Sequence, residues 1–224
     1  YDVSGLLNVG KNEILVTVGD GWWRGDTGYG GVRNSFGTDL AILCQLEIDR
    51  KTVLISDKSW SASQEGPLGL NDLMQGECYD ARKENICEWH PVTEKQFGYE
   101  NLVCSNSFDV VEKENYTGKQ IHTPNGEVVI DFGQNIAGYV KFGFYAQAGQ
   151  CITLYHGECL DQNGNFTQEN FQAPEHRVEQ CVKYICKEGW NEYKPEKSIF
   201  GFRYIKAITD VKVTEKNFTA IAVY

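Results

Sequence analysis

A two-residue periodicity limits the fold of this chain more than any other feature. Leu40, Ile42, Cys44, Leu46 and Ile48 occupy alternate positions, with Gln45 and Glu47 between them. Only an extended strand with one face in a core and the other in water places every second side chain on the same side. The alternation returns at Ile14, Val16 and Val18, at Val53 and Ile55, at Val128, Ile130 and Phe132, at Val140, Phe142 and Phe144, and at Ile152, Leu154 and His156. Later strands are read over 202–208 and 218–223, and Trp60 opens a further one. Gly, Asn and Asp punctuate these runs, as at Gly19-Asp20-Gly21 and at 161–165, in the manner of a sandwich with frequent turns. Apart from a short helical turn near 170–173, no window sustains a 3.6-residue stripe. The expected class is all-β.

The chain has 224 residues, enough for one large domain or two of ordinary size. The apolar pattern weakens between 84 and 126, where Glu112-Lys113-Glu114-Asn115 and Thr123-Pro124-Asn125-Gly126 gather. A boundary is placed near 106, giving domains 1–106 and 107–224, each an antiparallel β-sandwich.

No run of about 18 apolar residues is present, so no membrane partner is expected. A net charge of −10, with no basic patch interleaved with aromatics, makes nucleic acid an unsuitable partner. The eight cysteines (44, 78, 87, 104, 151, 159, 181 and 186) form no C-x-x-C pair, which argues against structural zinc. Several fall inside strand-like runs as small apolar residues, so reduced thiols and a reducing compartment are expected. The N-x-T triplets at Asn115, Asn165 and Asn217 are read as coincidental. No signal peptide is visible, and the chain opens in mid-pattern at Tyr1-Asp2-Val3.

Several segments in order carry a resemblance. They are Tyr1-Asp2-Val3-Ser4, Gly19-Asp20-Gly21-Trp22-Trp23-Arg24-Gly25, Ser59-Trp60 and Gly76-Glu77-Cys78-Tyr79-Asp80-Ala81-Arg82 in the first part. In the second they are Asp131-Phe132-Gly133-Gln134-Asn135-Ile136-Ala137-Gly138, His156-Gly157-Glu158-Cys159-Leu160-Asp161 and Gly201-Phe202-Arg203-Tyr204. Together they resemble the N-terminal half of bacterial α-L-rhamnosidases, inverting glycoside hydrolases that remove terminal L-rhamnose. The resemblance implies a galactose-binding-like jelly roll over 1–106, truncated at its start, and a concanavalin-like sandwich over 107–224. The family's catalytic (α/α)6 barrel comes later and has no counterpart in these residues.

By the same resemblance, the chain is expected to be a non-catalytic accessory region of an enzyme acting on terminal α-L-rhamnosides, with no catalytic residue of its own. Its expected partners are the barrel of the same polypeptide and L-rhamnose or rhamnosylated glycans; the reduced thiols add the expectation of a location in the bacterial cytoplasm rather than secretion. Lys197-Ser198-Ile199-Phe200 departs from the family's Phe-Thr-Tyr-His, which removes a histidine before Gly201.

Inverting glycosidases need an acid and a base about 6.5–9.5 Å apart. His156 and Glu158, two apart on a strand and hence about 7 Å apart on one face, are the first such pair. A hydrogen-bonding role for both explains them equally well, and the resemblance places the catalytic acids elsewhere. Trp22 and Trp23, if extended, point to opposite faces. One either stacks on a sugar beside Arg24 and Asp20 or packs against another domain. Asn71, Asp72, Gln75, Glu77 and Asp80 offer oxygen ligands of the kind calcium prefers, or form a solvated loop. Some members of the resembled family bind rhamnose through the first domain with calcium. That makes Asn71, Asp72 and Glu77 candidate sugar contacts and Asn71 with Asp72 candidate calcium ligands, with no cofactor otherwise required. The alternative function is thus a calcium-dependent rhamnose-binding module.

Residues 161–165 have the outline of an EF-hand loop but lack its Gly and Glu positions, so a hairpin turn is expected. Gly133-Gln134-Asn135 either aims amides at a ligand or closes its own turn. Arg203, opposite in parity to Phe202 and Tyr204, should pair with a carboxylate, that of the barrel being one candidate.

Overall fold

The computed structural model describes residues 1–28, 31–174 and 177–224. The first strands are β1 (Gln45–Ile48), β2 (Lys51–Ile55), β3 (Ser61–Ala62), β4 (Leu68–Asp72), β5 (Gly76–Asp80) and β6 (His90–Pro91). They are followed by β7 (Glu112–Thr117), β8 (Lys119–Ile121), β9 (Val128–Ala146) and β10 (Cys151–Gly157). The last are β11 (Cys181–Ile185), β12 (Gly189–Tyr193), β13 (Phe200–Thr209) and β14 (Phe218–Val223). Helical turns are short, and the one α-helical turn among the described residues, α1, covers Gly21–Arg24.

Ten strands form one curled sheet in the order β4-β5-β11-β10-β13-β9-β14-β7, with β8 and β12 also on β9. The curl follows from the length of β9. Its first half lies between β13 and β8, and its second half between β14 and β12. One strand thereby serves both layers of a sandwich. Alternation sets what faces the core: Val140, Phe142 and Phe144 on β9, Ile152 and Leu154 on β10, and Phe200 and Phe202 on β13 are buried together. Phe142 stacks on Phe144 at 5.4 Å and meets the edge of Tyr184 at 5.3 Å. Each such ring contributes about 1.5–3 kcal/mol on burial.

One pairing in this sheet is parallel. β5 lies beside β11 in the register Cys181↔Gly76 to Ile185↔Asp80, so residues on both sides of 106 share a sheet. Gly76 makes the approach possible. Its φ is 106°, and a Cβ there would sit 1.9 Å from the Cys181 carbonyl oxygen, a position open only to glycine.

The first part departs from the alternation in its sequence. Ile14, Val16 and Val18 join no strand and are exposed, because an extended segment needs a ladder partner and none of the described strands supplies one. The run from Leu40 becomes a strand only at Gln45, in a hairpin with β2. Asp49 (φ 50°) and Arg50 (φ 62°) make its two-residue turn, as a type I′ geometry requires. The turn expected at 161–165 forms: Leu160 bridges Phe166, and Asp161 Oδ1 accepts from the Asn163 and Asn165 amides, each at 2.8 Å. All eight cysteines carry free thiols.

Candidate functional site

The Gly-Asp-Gly-Trp-Trp-Arg segment and the end of β4 meet around a buried carboxylate. Asp72 is fully buried. Its Oδ2 accepts from Arg33 Nη1 at 2.6 Å and the Asp26 amide at 2.9 Å, and its Oδ1 from the Met74 and Gln75 amides at 2.8 and 3.0 Å. Burial alone would raise this carboxyl, but the three N–H groups and the guanidinium outweigh it and hold the pKa below its usual value. Arg33 also reaches Asp26 at 3.2 Å and Asp20 at 2.8 Å, while Arg24 pairs with Asp20 at 2.7 Å. Gln75 Nε2 donates to Asp26 at 2.6 Å, and Gln75 Oε1 accepts from the Glu179 amide at 3.1 Å. Asp26 and Arg33 are central to this network and were not singled out in the sequence. Nothing local marks a guanidinium 39 positions from the carboxylate it neutralises.

Trp22 and Trp23 lie on α1 rather than on a strand, so the opposite-face expectation does not apply. Asp20 begins that turn in helical conformation, and consecutive helical residues diverge by about 100°. Both rings are about half exposed. Trp23 packs over Gly37 and donates from Nε1 to the Asp39 carbonyl at 3.0 Å.

The candidate set Asn71, Asp72 and Glu77 is split by the sheet. Asn71 faces Glu77 across the β4–β5 register, and its Nδ2 lies 3.4 Å from Glu77 Oε1. Asp72, the next residue on the strand, points to the other face. Glu77 is 1% exposed. It accepts from the Tyr193 hydroxyl at 2.7 Å and the Lys197 amide at 2.8 Å, and burial raises its pKa against both of those contacts. Asp80 is held by Arg82 through Nε and Nη2, each at 2.9 Å. Among the described residues no three His, Cys, Asp or Glu side chains converge in a way that could hold a metal.

His156 and Glu158 do not form a pair. β10 ends at Gly157, where a Cβ would collide with the Phe166 ring at 2.8 Å. His156 is fully buried, stacked on Phe200 at 4.0 Å. Its Nδ1 donates to the Gln180 carbonyl at 2.9 Å, since a carbonyl only accepts. Nε2 is buried without a hydrogen-bond partner, and burial pushes the imidazole down to about 4. Glu158 sits at the surface edge and accepts from Asn135 Nδ2 at 3.3 Å and Asn170 Nδ2 at 2.8 Å. Arg203 finds its carboxylate within this chain, gripping Asp131 through Nε and Nη2 at 2.8 Å each. Gly133 (φ 82°) donates to the same Asp131 at 2.7 Å.

The alpha-L-rhamnosidase N-terminal domain matches residues 1–121, and the bacterial alpha-L-rhamnosidase concanavalin-like domain matches 121–224. An alpha-L-rhamnosidase of Formosa agariphila is 29% identical over 92% of this chain and 23% of its own length. One from Streptomyces avermitilis is also 29% identical, over 92% of this chain and 21% of its own length. The crystal structure of the Aspergillus terreus α-L-rhamnosidase superposes with a TM-score of 0.81 at 28% identity, covering 92% of this chain and 26% of that one. The Streptomyces avermitilis enzyme complexed with L-rhamnose gives 0.79 at 26% identity, over 92% and 21%. The chain therefore spans about a quarter of the length of these relatives. With the two family matches meeting at residue 121 and running end to end, this chain belongs to the bacterial α-L-rhamnosidase family and carries its N-terminal and concanavalin-like domains.

Proposed function

We infer that this chain is the non-catalytic accessory region of an enzyme that hydrolyses terminal α-L-rhamnosides, and that it supports an (α/α)6 catalytic domain of the same polypeptide. The observation that carries this reading is the fate of the acidic candidates. Asp72 is saturated by N–H donors, Glu77 is sealed under Tyr193, Asp131 is clamped by Arg203, and Glu158 is bonded by the Asn135 and Asn170 amides rather than by His156. An inverting pair needs two carboxyl groups facing one open space with a water between them; Asp72, Glu77 and Asp131 are engaged in holding the fold, and none of the three is free to pair with Glu158. Leu15, Leu43, Phe97 and Leu102 line one open cleft, which residues of the second part such as Lys141 and Lys194 also line, and are exposed, the kind of apolar surface that protein contacts cover.

The test is association in trans. The chain mixed with the proposed catalytic domain, expressed without these residues, is expected to co-elute with it and raise its melting temperature. Separate elution with an unchanged melting temperature would overturn the supporting role.

A further inference from the structure

Three independent features of the concanavalin-like domain converge on Glu158. The first is an interruption of the β9–β13 ladder. Tyr204 pairs with Asp131 and Phe202 with Ile136, so four residues of β9, 132–135, stand opposite Arg203 alone. Bulges of this kind forfeit ladder bonds and re-aim side chains. Here the bulge throws Gly133, Gln134 and Asn135 to the surface and turns the Asn135 amide onto Glu158.

The second is the connection from β10 to β11. These are adjacent antiparallel strands, which a turn of about two to five residues could join. Residues 158–180 make the link instead. Gln168 Nε2 fastens it to the His156 and Glu179 carbonyls at 2.8 and 2.9 Å, and Gln172 exchanges two 2.8 Å bonds with Val178. This connection delivers Asn170 to the second oxygen of Glu158. The third feature is the floor. Gly201 pairs with Ala137, both are exposed, and a Cβ on Gly201 would stand 3.3 Å from Glu158 Oε1, so glycine leaves the carboxylate accessible.

We propose that Glu158, Asn135 and Asn170 form a saccharide-binding site, in which neighbouring sugar hydroxyls bond to the carboxylate and amides while the apolar sugar face lies on Gly201 and Ala137. Two N–H donors use about half of the lone-pair positions of a carboxylate, and the rest remain for O–H donors. Both Asn side chains turn N–H toward Glu158, an orientation a cation would have to reverse, and the carboxylate repels anions. A neutral polyol, donating and accepting at each hydroxyl, matches what remains. Arg203 lies on the Gly201 side of β13, fixed by Asp131 and partly exposed, and supplies further donors at the rim. The choice of a sugar among polyols rests on the rhamnosidase reading; the site itself does not.

The test is titration of the 224-residue chain with L-rhamnose, with glycerol as control, followed by calorimetry and by backbone amide NMR. Saturable binding with a Kd of about 1 mM is expected, weakened about tenfold in Glu158→Gln and in Asn170→Ala. The amide signals of Asn135, Asn170 and Gly201 should shift in the unmodified chain, a readout that holds even if a variant misfolds. No saturation far above millimolar sugar, or shifts confined to other residues, would overturn the site. Either result leaves the accessory reading untouched, because that reading is tested by association and by turnover.

Discussion

Replacing His156 with phenylalanine should remove a specific part of the acid sensitivity of this chain. The imidazole is fully buried between Phe200 and Phe202, and its pKa falls from 6.5 to about 4 through burial, opposed by the Gln180 carbonyl. The folded chain therefore takes up this proton only near pH 4, whereas the unfolded chain takes it up near 6.5. Between those values the unfolded state binds more protons, so stability present above about pH 6.5 is lost as pH falls toward about 4. A difference of this size corresponds to about 3 kcal/mol. No discount for solvent applies to a ring with no exposure. Phenylalanine fills a similar volume against two aromatic neighbours and forfeits one hydrogen bond, so at pH 7 the variant should lie within about 1.5 kcal/mol of the parent. Urea unfolding followed by tryptophan fluorescence at several pH values between 7 and 4 gives the comparison. Asp72, Asp80 and Asp131 have lowered pKa values, so they also destabilise the fold as pH falls through the carboxylate range, but they do so equally in both proteins. The parent's stability should fall more steeply than the variant's; parallel pH profiles would refute a buried, neutral His156.

Arg33→Ala should destabilise the first part by about 2 kcal/mol, less than a fully buried pair costs because the guanidinium is partly exposed while Asp72 is not; a urea midpoint unchanged from the parent would show that Asp72 does not depend on it. Gly76→Ala should cost about 3 kcal/mol or more, since the methyl group meets the Cys181 carbonyl in a left-handed backbone, and hydrogen exchange should report the loss at the amides of 181–185. Calcium at millimolar concentration should leave the melting temperature where a chelator leaves it, because Asn71 and Asp72 point to opposite faces and the oxygens of Asp72 already face N–H donors. A resident ion at a hundred times its Kd would instead add about 2.7 kcal/mol.

The strands of the second part were legible because their alternation is imposed by a core on one side. Val140, Phe142 and Phe144, or Ile152 and Leu154, are buried at each alternate position. The same pattern at Ile14, Val16 and Val18 did not produce a strand. Alternation prepares a face, but a ladder needs a partner, and that partner is not encoded in the segment itself. The Trp22-Trp23 pair illustrates a second limit, since a single helical turn leaves no period to read. Gly76 was visible as a glycine, yet the parallel approach of β11 that requires it comes from a segment about a hundred residues away.

At the candidate site, residue types were readable and partners were not. Asp72 and Glu77 were picked out as carboxylates near one another, whereas the strand parity that separates Asp72 from Asn71, and the Arg33 and Tyr193 side chains that consume the two carboxylates, depend on tertiary contacts. His156 and Glu158 looked like a facing pair only on the assumption that the strand continued through Gly157. It stops there because Phe166 and Thr167 fold back over that glycine.

Hydrolysis of an aryl α-L-rhamnoside by the chain alone, followed by chromophore release across pH 4–8, is the most direct measurement of whether this region performs chemistry. The accessory assignment predicts no release above a protein-free control. Turnover that disappears in Glu158→Gln would contradict the accessory assignment and make the surface carboxylate a catalytic group.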